Sequence, residues 1–380
     1  MAYWGKPMRD ESQFLEVIKM KRLFILALAV LTICSGCSKE ETKVVLDNSP
    51  LLLVRVDKRY GYCDLNGKMV IPAQYENASI FSEGLAAVSV YDKYGYIDTK
   101  GNMVVPTQYQ GALFFMDGRA AVMKGDRWGY IDQSGKMVTG VDYLTTFAFT
   151  DGLAPVVIVK NDAGKAGYID KTGKFIIKPE YDDATNFSEG LAAVKVGRKF
   201  GYVDKSGKLV IPAQYDAAAM FRDGLAMVRI NGKHGIIGYL NKSGEMVIPA
   251  QYGEGTNFHE GVAAVRKGEK WLLIDQTGKP LLEKEIDAPT VYSEGLAPIW
   301  ADGKIGYMDK QGKMVIKPQF ESASIFVNGV APVKVKGKCG YIDKTGKMVI
   351  EPTFDWDQRS IDQYTHYYTH FTPASPKKDK

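Results

Sequence analysis

Leu85-Ala86-Ala87-Val88-Ser89-Val90, Tyr94-Gly95-Tyr96-Ile97-Asp98 and Met103-Val104-Val105-Pro106 are three short apolar runs. Polar turns separate them, Tyr91-Asp92-Lys93 and Thr99-Lys100-Gly101-Asn102. β-Branched and aromatic runs divided by Gly, Asn and Asp read as strands joined by hairpins. The stretch from Leu85 to Gly118 therefore predicts a three-stranded antiparallel meander followed by a connection of about a dozen residues. The same pattern recurs along the chain. Asp64, Asp98, Asp132, Asp170, Asp204, Asn241, Asp275, Asp309 and Asp343 mark nine copies, most of them 34 residues apart. Self-similarity at a fixed period signifies units that bury their apolar faces against one another.

A 34-residue period also suits helical arrays. Here every unit carries fixed glycines and most carry a proline, which cost roughly 1 and 3 kcal/mol in a helix interior. The recurring positions have physical roles. Each Asp opens an Asp-x-x-Gly turn, whose carboxylate can accept turn amides while the Gly takes positive φ. Glu83-Gly84, Asp117-Gly118, Glu189-Gly190 and their counterparts mark a second tight turn. Pro72, Pro106, Pro179 and Pro212 end third strands, where a missing N–H is tolerated. The rows headed by Tyr75 and Phe81 are expected to form a continuous aromatic core between units.

The spacing from the Asp row to the Glu/Asp-Gly row is constant, whereas the two long units gain residues near Asn161-Asp162 and between Gly232 and Gly238. Insertions collect in exposed tips. The loop between the first two strands is thus predicted to be a solvent-facing tip and the long connection to be packed. The seventh unit departs most, with Trp271-Leu272-Leu273 and an early Pro280.

Trp128-Gly129-Tyr130-Ile131-Asp132, with Gly135 and Lys136, is echoed by Tyr94-Gly95-Tyr96-Ile97-Asp98 and Phe200-Gly201-Tyr202-Val203-Asp204. These segments resemble the WG (KWG) repeat of bacterial proteins, with Tyr or Phe commonly replacing the Trp. The resemblance implies an all-β repeat structure, often on secreted or surface proteins, with no established catalytic residues. Propeller blades usually have four strands and about 40 or more residues. The short unit therefore favours an all-β tandem array of nine three-stranded antiparallel meanders, open and solenoid-like, with a closed propeller-like ring as the alternative.

The N-terminus carries a second signal. Lys21-Arg22 precede the apolar run Leu23 to Ile33, too short to span a membrane and suited to a signal-peptide core. It ends in Cys34-Ser35-Gly36-Cys37, which resembles the bacterial lipobox and implies cleavage before Cys37 and lipidation there. Ser38 after it favours outer-membrane sorting in a Gram-negative envelope. Asp10, Glu11 and Glu16 do not suit a signal peptide, so Met20 reads as the initiator. The expected organisation is an extension plus lipoprotein signal peptide over 1–36, a tether over 37–50, the repeat domain over 51–357, and a C-terminal cap and tail over 358–380. Cys63 and Cys339 remain, at opposite parity within their units, which argues against a disulfide between them.

Catalytic chemistry finds little support. His234 and His259 have no recurring partner, and His366 and His370 lack a third ligand. One Asp per turn does not make a calcium ladder, and no carboxylate pair stands out as a glycosidase couple. No catalytic residue, metal or cofactor is expected; a carbohydrate-active surface enzyme and a ligand-free spacer are the alternatives to a binding or scaffolding array. The net charge of +5 is scattered and gives no basic block for nucleic acid. The candidate binding tips are Lys58, Arg59, Asp92, Lys93, Lys124, Asp126, Arg198, Lys199, Lys267, Lys336 and Lys338, where otherwise constant units differ. A lysine row (Lys68, Lys136, Lys174, Lys208, Lys279, Lys313 and Lys347) reads first as a solvated face. Expected partners are a membrane, through the lipid anchor, and an envelope protein or polysaccharide.

Overall fold

The computed structural model describes residues 51–160, 163–232 and 235–358. The second unit shows how each blade is built. Its first strand, Leu85–Val90, is buried over nearly its whole length. It pairs antiparallel with Lys93–Asp98, which pairs with Met103–Tyr109. The third strand alternates exposed and buried positions, so it forms the outer edge. On the opposite edge, the two-residue strand Asn77–Ala78 pairs with Ser89 and Val88. The connection of about a dozen residues thus supplies a fourth strand in five of the nine sheets. Two paired residues are too few to leave a period-2 pattern in the sequence.

The glycine of the aromatic-Gly-Tyr triplet is explained by a bulge. Tyr94 pairs with Tyr109 and Tyr96 with Val105, so two residues on one strand are matched by four on the other. The bulged backbone leans over Gly95: a Cβ there would lie 2.4 Å from the Val105 carbonyl oxygen. Pro106 occupies the bulge, where no ladder hydrogen bond is required of it.

Nine sheets follow in chain order, over residues 52–75, 77–109, 111–132, 145–181, 183–215, 217–252, 254–274, 296–320 and 322–355; they are blades 1 to 9. In blades 3 and 7 the outer strand is reduced to isolated bridges, Trp128 to Tyr143 with Ile131 to Met137, and Trp271 to Ile286 with Ile274 to Pro280. The insertions fall at hairpin tips as expected. One lengthens both flanking strands to Leu153–Lys160 and Ala163–Asp170; the other separates Leu225–Ile230 from Ile236–Asn241.

The open array is corrected by the cores. Each apolar cluster lies between two successive blades: Tyr62 and Tyr75 of blade 1, for example, pack with Phe81 and Val88 of blade 2. An open array of nine has eight such interfaces. Here a ninth joins Leu52, Val54 and Cys63 of blade 1 to Val330, Tyr341, Ile350 and Phe354 of blade 9. The chain therefore closes into a nine-bladed β-propeller. Closure hides the apolar faces that the terminal units of an open stack would leave in water. A 34-residue unit suffices because the innermost strand is two residues long and the turns are tight.

The aromatic rows lie in these interfaces. Phe115, Phe149, Phe187 and Phe221 are fully buried, and Tyr75, Tyr109 and Tyr215 nearly so. A further row was not singled out in the sequence reading: Tyr62, Tyr96, Tyr168, Tyr202, Tyr239 and Tyr307 are each wholly buried. Each ring meets the next blade's phenylalanine at an angle, as Tyr96 does Phe115 with 4.9 Å between centroids. Each hydroxyl donates to a carbonyl 17 residues ahead, from Tyr62 to Ser79 at 2.7 Å through Tyr307 to Ser324 at 2.7 Å. At the closure Tyr341 donates to Leu53, 288 residues behind it. Burial raises the pKa of Tyr96 and Tyr307, so these phenols remain donors.

Candidate functional site: two clasped faces

The antiparallel order sends every tip between the first two strands to one end of the ring, and the Asp-x-x-Gly and Glu/Asp-Gly turns to the other. On the turn face each Asp behaves as expected. Asp98 Oδ1 accepts from the amides of Lys100 and Asn102 at 2.9 and 2.8 Å, and the Asn102 side chain, with these amides, holds its carboxyl below the usual range. In Asp132, Asp170 and Asp204 the hydroxyl two residues on is the main cause of the same lowering.

The Glu/Asp-Gly turns do more than reverse the chain. Glu83 and Gly84 both take positive φ, 52° and 81°, as a type I′ turn requires. A left-handed Glu costs roughly 1–2 kcal/mol. Its carboxylate leaves the blade and accepts from the Gly118 amide of the next one at 2.9 Å. The contact repeats from Asp117 to Gly152, Asp151 to Gly190, Glu189 to Gly224, Asp223 to Gly261, Glu260 to Gly295 and Glu294 to Gly329. The residue after the next blade's turn Asp adds a cation at five of these junctions. Lys242 reaches Glu189 at 3.0 Å and Lys344 reaches Glu294 at 2.9 Å; Lys171, Lys205 and Lys310 do likewise.

The residue before this turn forms a further tie. Ser82, Thr150, Ser188 and Ser293 donate to the carbonyls of Phe115, Phe187, Phe221 and Phe326. His259 occupies the same place, its Nδ1 lying 2.7 Å from the Tyr292 carbonyl. A carbonyl only accepts, so Nδ1 carries the proton. Burial lowers the His259 pKa, and the hydrogen bond to Tyr292 partly opposes it. His259 is thus a structural member of a row in which Ser82, Thr150, Ser188 and Ser293 make the same tie through a hydroxyl. His234, His366 and His370, with Cys34, Cys37 and the tail beyond residue 358, lie outside the described residues.

The tip face carries its own ties. Glu76 accepts from the Asp92 amide at the tip of the next blade and pairs with Arg59 of its own. Asp216 likewise accepts from the Gly232 amide and pairs with Lys199, and Asp355 pairs with Lys338 while accepting from the Lys58 amide across the closure. The structure therefore gathers all eleven candidate tip residues on one annular face but divides them. Arg59, Lys199 and Lys338 are held by blade-to-blade carboxylates. Lys58, Asp92, Lys124, Asp126, Arg198, Lys267 and Lys336 are exposed on the tips, and Lys93 is half-buried. The lysine row containing Lys68, Lys136 and Lys174 lies on the opposite, turn face. Among the described residues, no group of three or more His, Cys, Asp or Glu is placed to hold a metal ion, and no helix is long and apolar enough to cross a membrane.

A sequence profile described as the WG-containing repeat matches residues 60–159 in three consecutive copies, 167–233 in two, and then 237–271, 305–339 and 340–356. These matches cover more than half of the chain and leave out residues 272–304, which follow the divergent Trp271. No curated protein matches the sequence. Solved structures with a similar course include dihydro-heme d1 dehydrogenase NirN in complex with DHE, at 14% identity and a TM-score of 0.43, covering 76% of this chain and 77% of that one. Hsv2p of Kluyveromyces lactis matches at 10% identity and 0.36, covering 60% and 89%. Puromycin hydrolase matches at 10% and 0.35, covering 80% and 61%. Similarities this loose carry nothing about activity.

Proposed function

Because this chain belongs to the WG-repeat family and its blades close into a ring, we propose that it is a lipid-anchored envelope protein whose tip face binds a protein or cell-wall partner. The observation that carries this reading is the sorting of variation in space. Positions that recur in most units are spent on the interfaces and clasps, while the hairpin tips, where units differ and two units carry insertions, collect on one annular face. Repeat architectures present such faces to partners and tolerate change in them. The lipobox-like Cys34-Ser35-Gly36-Cys37 supports an anchor at Cys37, with the tether up to residue 50 setting the ring's reach. Outer-membrane placement, suggested by Ser38, belongs to the same proposal, and no feature of either face favours catalysis over binding.

The test combines two variants. Replacing Lys58, Lys124, Arg198, Lys267 and Lys336 together with serine leaves the clasps in place. A binder then loses the partner that crosslinking in native cells attaches to the tips, whereas a spacer keeps its phenotype. Cys37→Ser should move the protein from the membrane to the soluble fraction; retention in the membrane contradicts the anchor.

A further inference from the structure

Closure of the ring changes the meaning of Cys63 and Cys339. Their opposite parity separates them in an open array, because they face opposite sides of their sheets. In a ring, the free face of blade 1 and the free face of blade 9 are the two that meet. Both cysteines are free thiols, buried, and members of the single apolar cluster that seals this junction. Burial pushes each thiol up to about 12, and at Cys339 the neighbouring Cys63 adds to the rise.

The other junctions show what these positions normally hold. Cys339 stands in the row that precedes the triplet glycine, and Cys63 in the row that precedes the turn Asp. At every junction these two rows share one apolar cluster, the first from one blade and the second from the next: Tyr60 with Ile97, Ile237 with Ile274, Ile305 with Ile342. Elsewhere both partners are apolar residues without a thiol. Only where the chain's two ends meet are both cysteine.

We propose that Cys63 and Cys339 form a disulfide that latches the closed ring when the chain folds in an oxidising compartment. The oxidant is a small-molecule or protein disulfide. Each thiol gives up its proton, one S–S bond forms between Sγ atoms, and two electrons reduce the oxidant disulfide to two thiols. The timing follows from burial. The thiolate is the nucleophile, and thiols held near 12 and shielded from solvent are nearly inert at neutral pH. The bond therefore forms as blade 9 docks on blade 1, and a ring already closed in the reduced state resists oxidation. Such a link spans almost the whole repeat domain, the loop length at which a crosslink restricts the unfolded chain most.

The test uses the full chain with Cys34→Ser and Cys37→Ser, so that only these two thiols remain. It is unfolded, then refolded with reduced and oxidised glutathione. The expected result is a peptide linking Cys63 to Cys339, loss of both free thiols, and a melting temperature about 5–10 °C above that of protein refolded under reductant. Reduced folded protein given the same glutathione mixture should react at least ten-fold more slowly. Cys63→Val and Cys339→Val, which restore the apolar residues of the other junctions, should fold and show no redox-dependent shift. Recovery of two free thiols, of glutathione adducts only, or of disulfides between chains would overturn the proposal.

Discussion

Replacing Asp357 with alanine probes the last joint of the ring. Asp357 is buried directly after the outer strand of blade 9. Its carboxylate accepts from the Tyr60 hydroxyl at 2.7 Å and from Arg55 Nη1 at 3.1 Å, both in blade 1 and about 300 positions earlier. Arg55 also lies over the Tyr60 ring, 5.6 Å from its centroid. Hydrogen bonds to a charged group contribute roughly 1.5–3 kcal/mol each. Breaking a largely buried pair by removing one partner costs about 3–5 kcal/mol, because the remaining charge loses its compensation. Asp357→Ala should therefore destabilise the protein by about 3–5 kcal/mol, read as a fall in the urea midpoint and a melting temperature lower by on the order of 10 °C. Hydrogen exchange localises the effect: amides of Leu52–Val56 and Met348–Asp355 should exchange faster, while those of Leu191–Val196 in blade 5 keep most of their protection. In an open array Asp357 would lie at a fraying end, where surface substitutions stay within about 0.5 kcal/mol. A change that small, or one spread evenly over all blades, would refute the reasoning.

Three further outcomes follow from the interfaces. His259 has a folded pKa below the ordinary 6.5, so the unfolded chain binds more protons in mildly acid solution; its contribution is complete above pH 6.5 and is lost as pH falls from there towards the folded value. Denaturation of His259→Ser, which restores the hydroxyl found at Ser293, should lack this acid-side loss between pH 6.5 and 5. Gly95→Ala should cost about 1–3 kcal/mol by thermal melting, since the new Cβ meets the backbone of the bulge, whereas Gly118→Ala, whose Cβ would meet nothing within 4 Å, should cost only its left-handed strain of about 1–2 kcal/mol. Glu189→Gln should keep the bond to the Gly224 amide and lose only the Lys242 attraction, about 0.2–1 kcal/mol that disappears in high salt, while Glu189→Ala should also cost the amide bond at every salt concentration.

Much of the blade was legible because its signals are local. Leu85–Val90 and Lys93–Asp98 follow from apolar runs and turn residues, and Asp98 with Gly101 follows from turn chemistry. The constant spacing between Asp98 and Asp117 also has a structural cause: both turns lie on the clasped face, where an insertion would break the contact from Glu83 to Gly118. The tips between the first two strands hold the insertions, and the tie from the Gly232 amide to Asp216 persists beside one of them. Closure was illegible for the same reason that the repeat was conspicuous. Copies that pack identically on their neighbours carry no mark of how many steps complete a turn. The residues that do record it (Arg55, Cys63, Cys339 and Asp357) occur at the two ends of the domain, and of these Cys63, Cys339 and Asp357 depart from their rows. The structure gathers the candidate tips on one face, but sequence could not separate Lys336, exposed, from Lys338, tied to Asp355. That distinction depends on a carboxylate 17 residues away on another strand.

Distances between tips test the closed ring most directly. Spin labels at Lys58 and Lys336 report blades 1 and 9, and labels at Asp92 and Lys124 report blades 2 and 3, adjacent in sequence. Pulsed dipolar spectroscopy should give the same distance for both pairs, as expected when the first and last blades are neighbours. A separation between Lys58 and Lys336 longer than that of every adjacent pair would show that the array does not close.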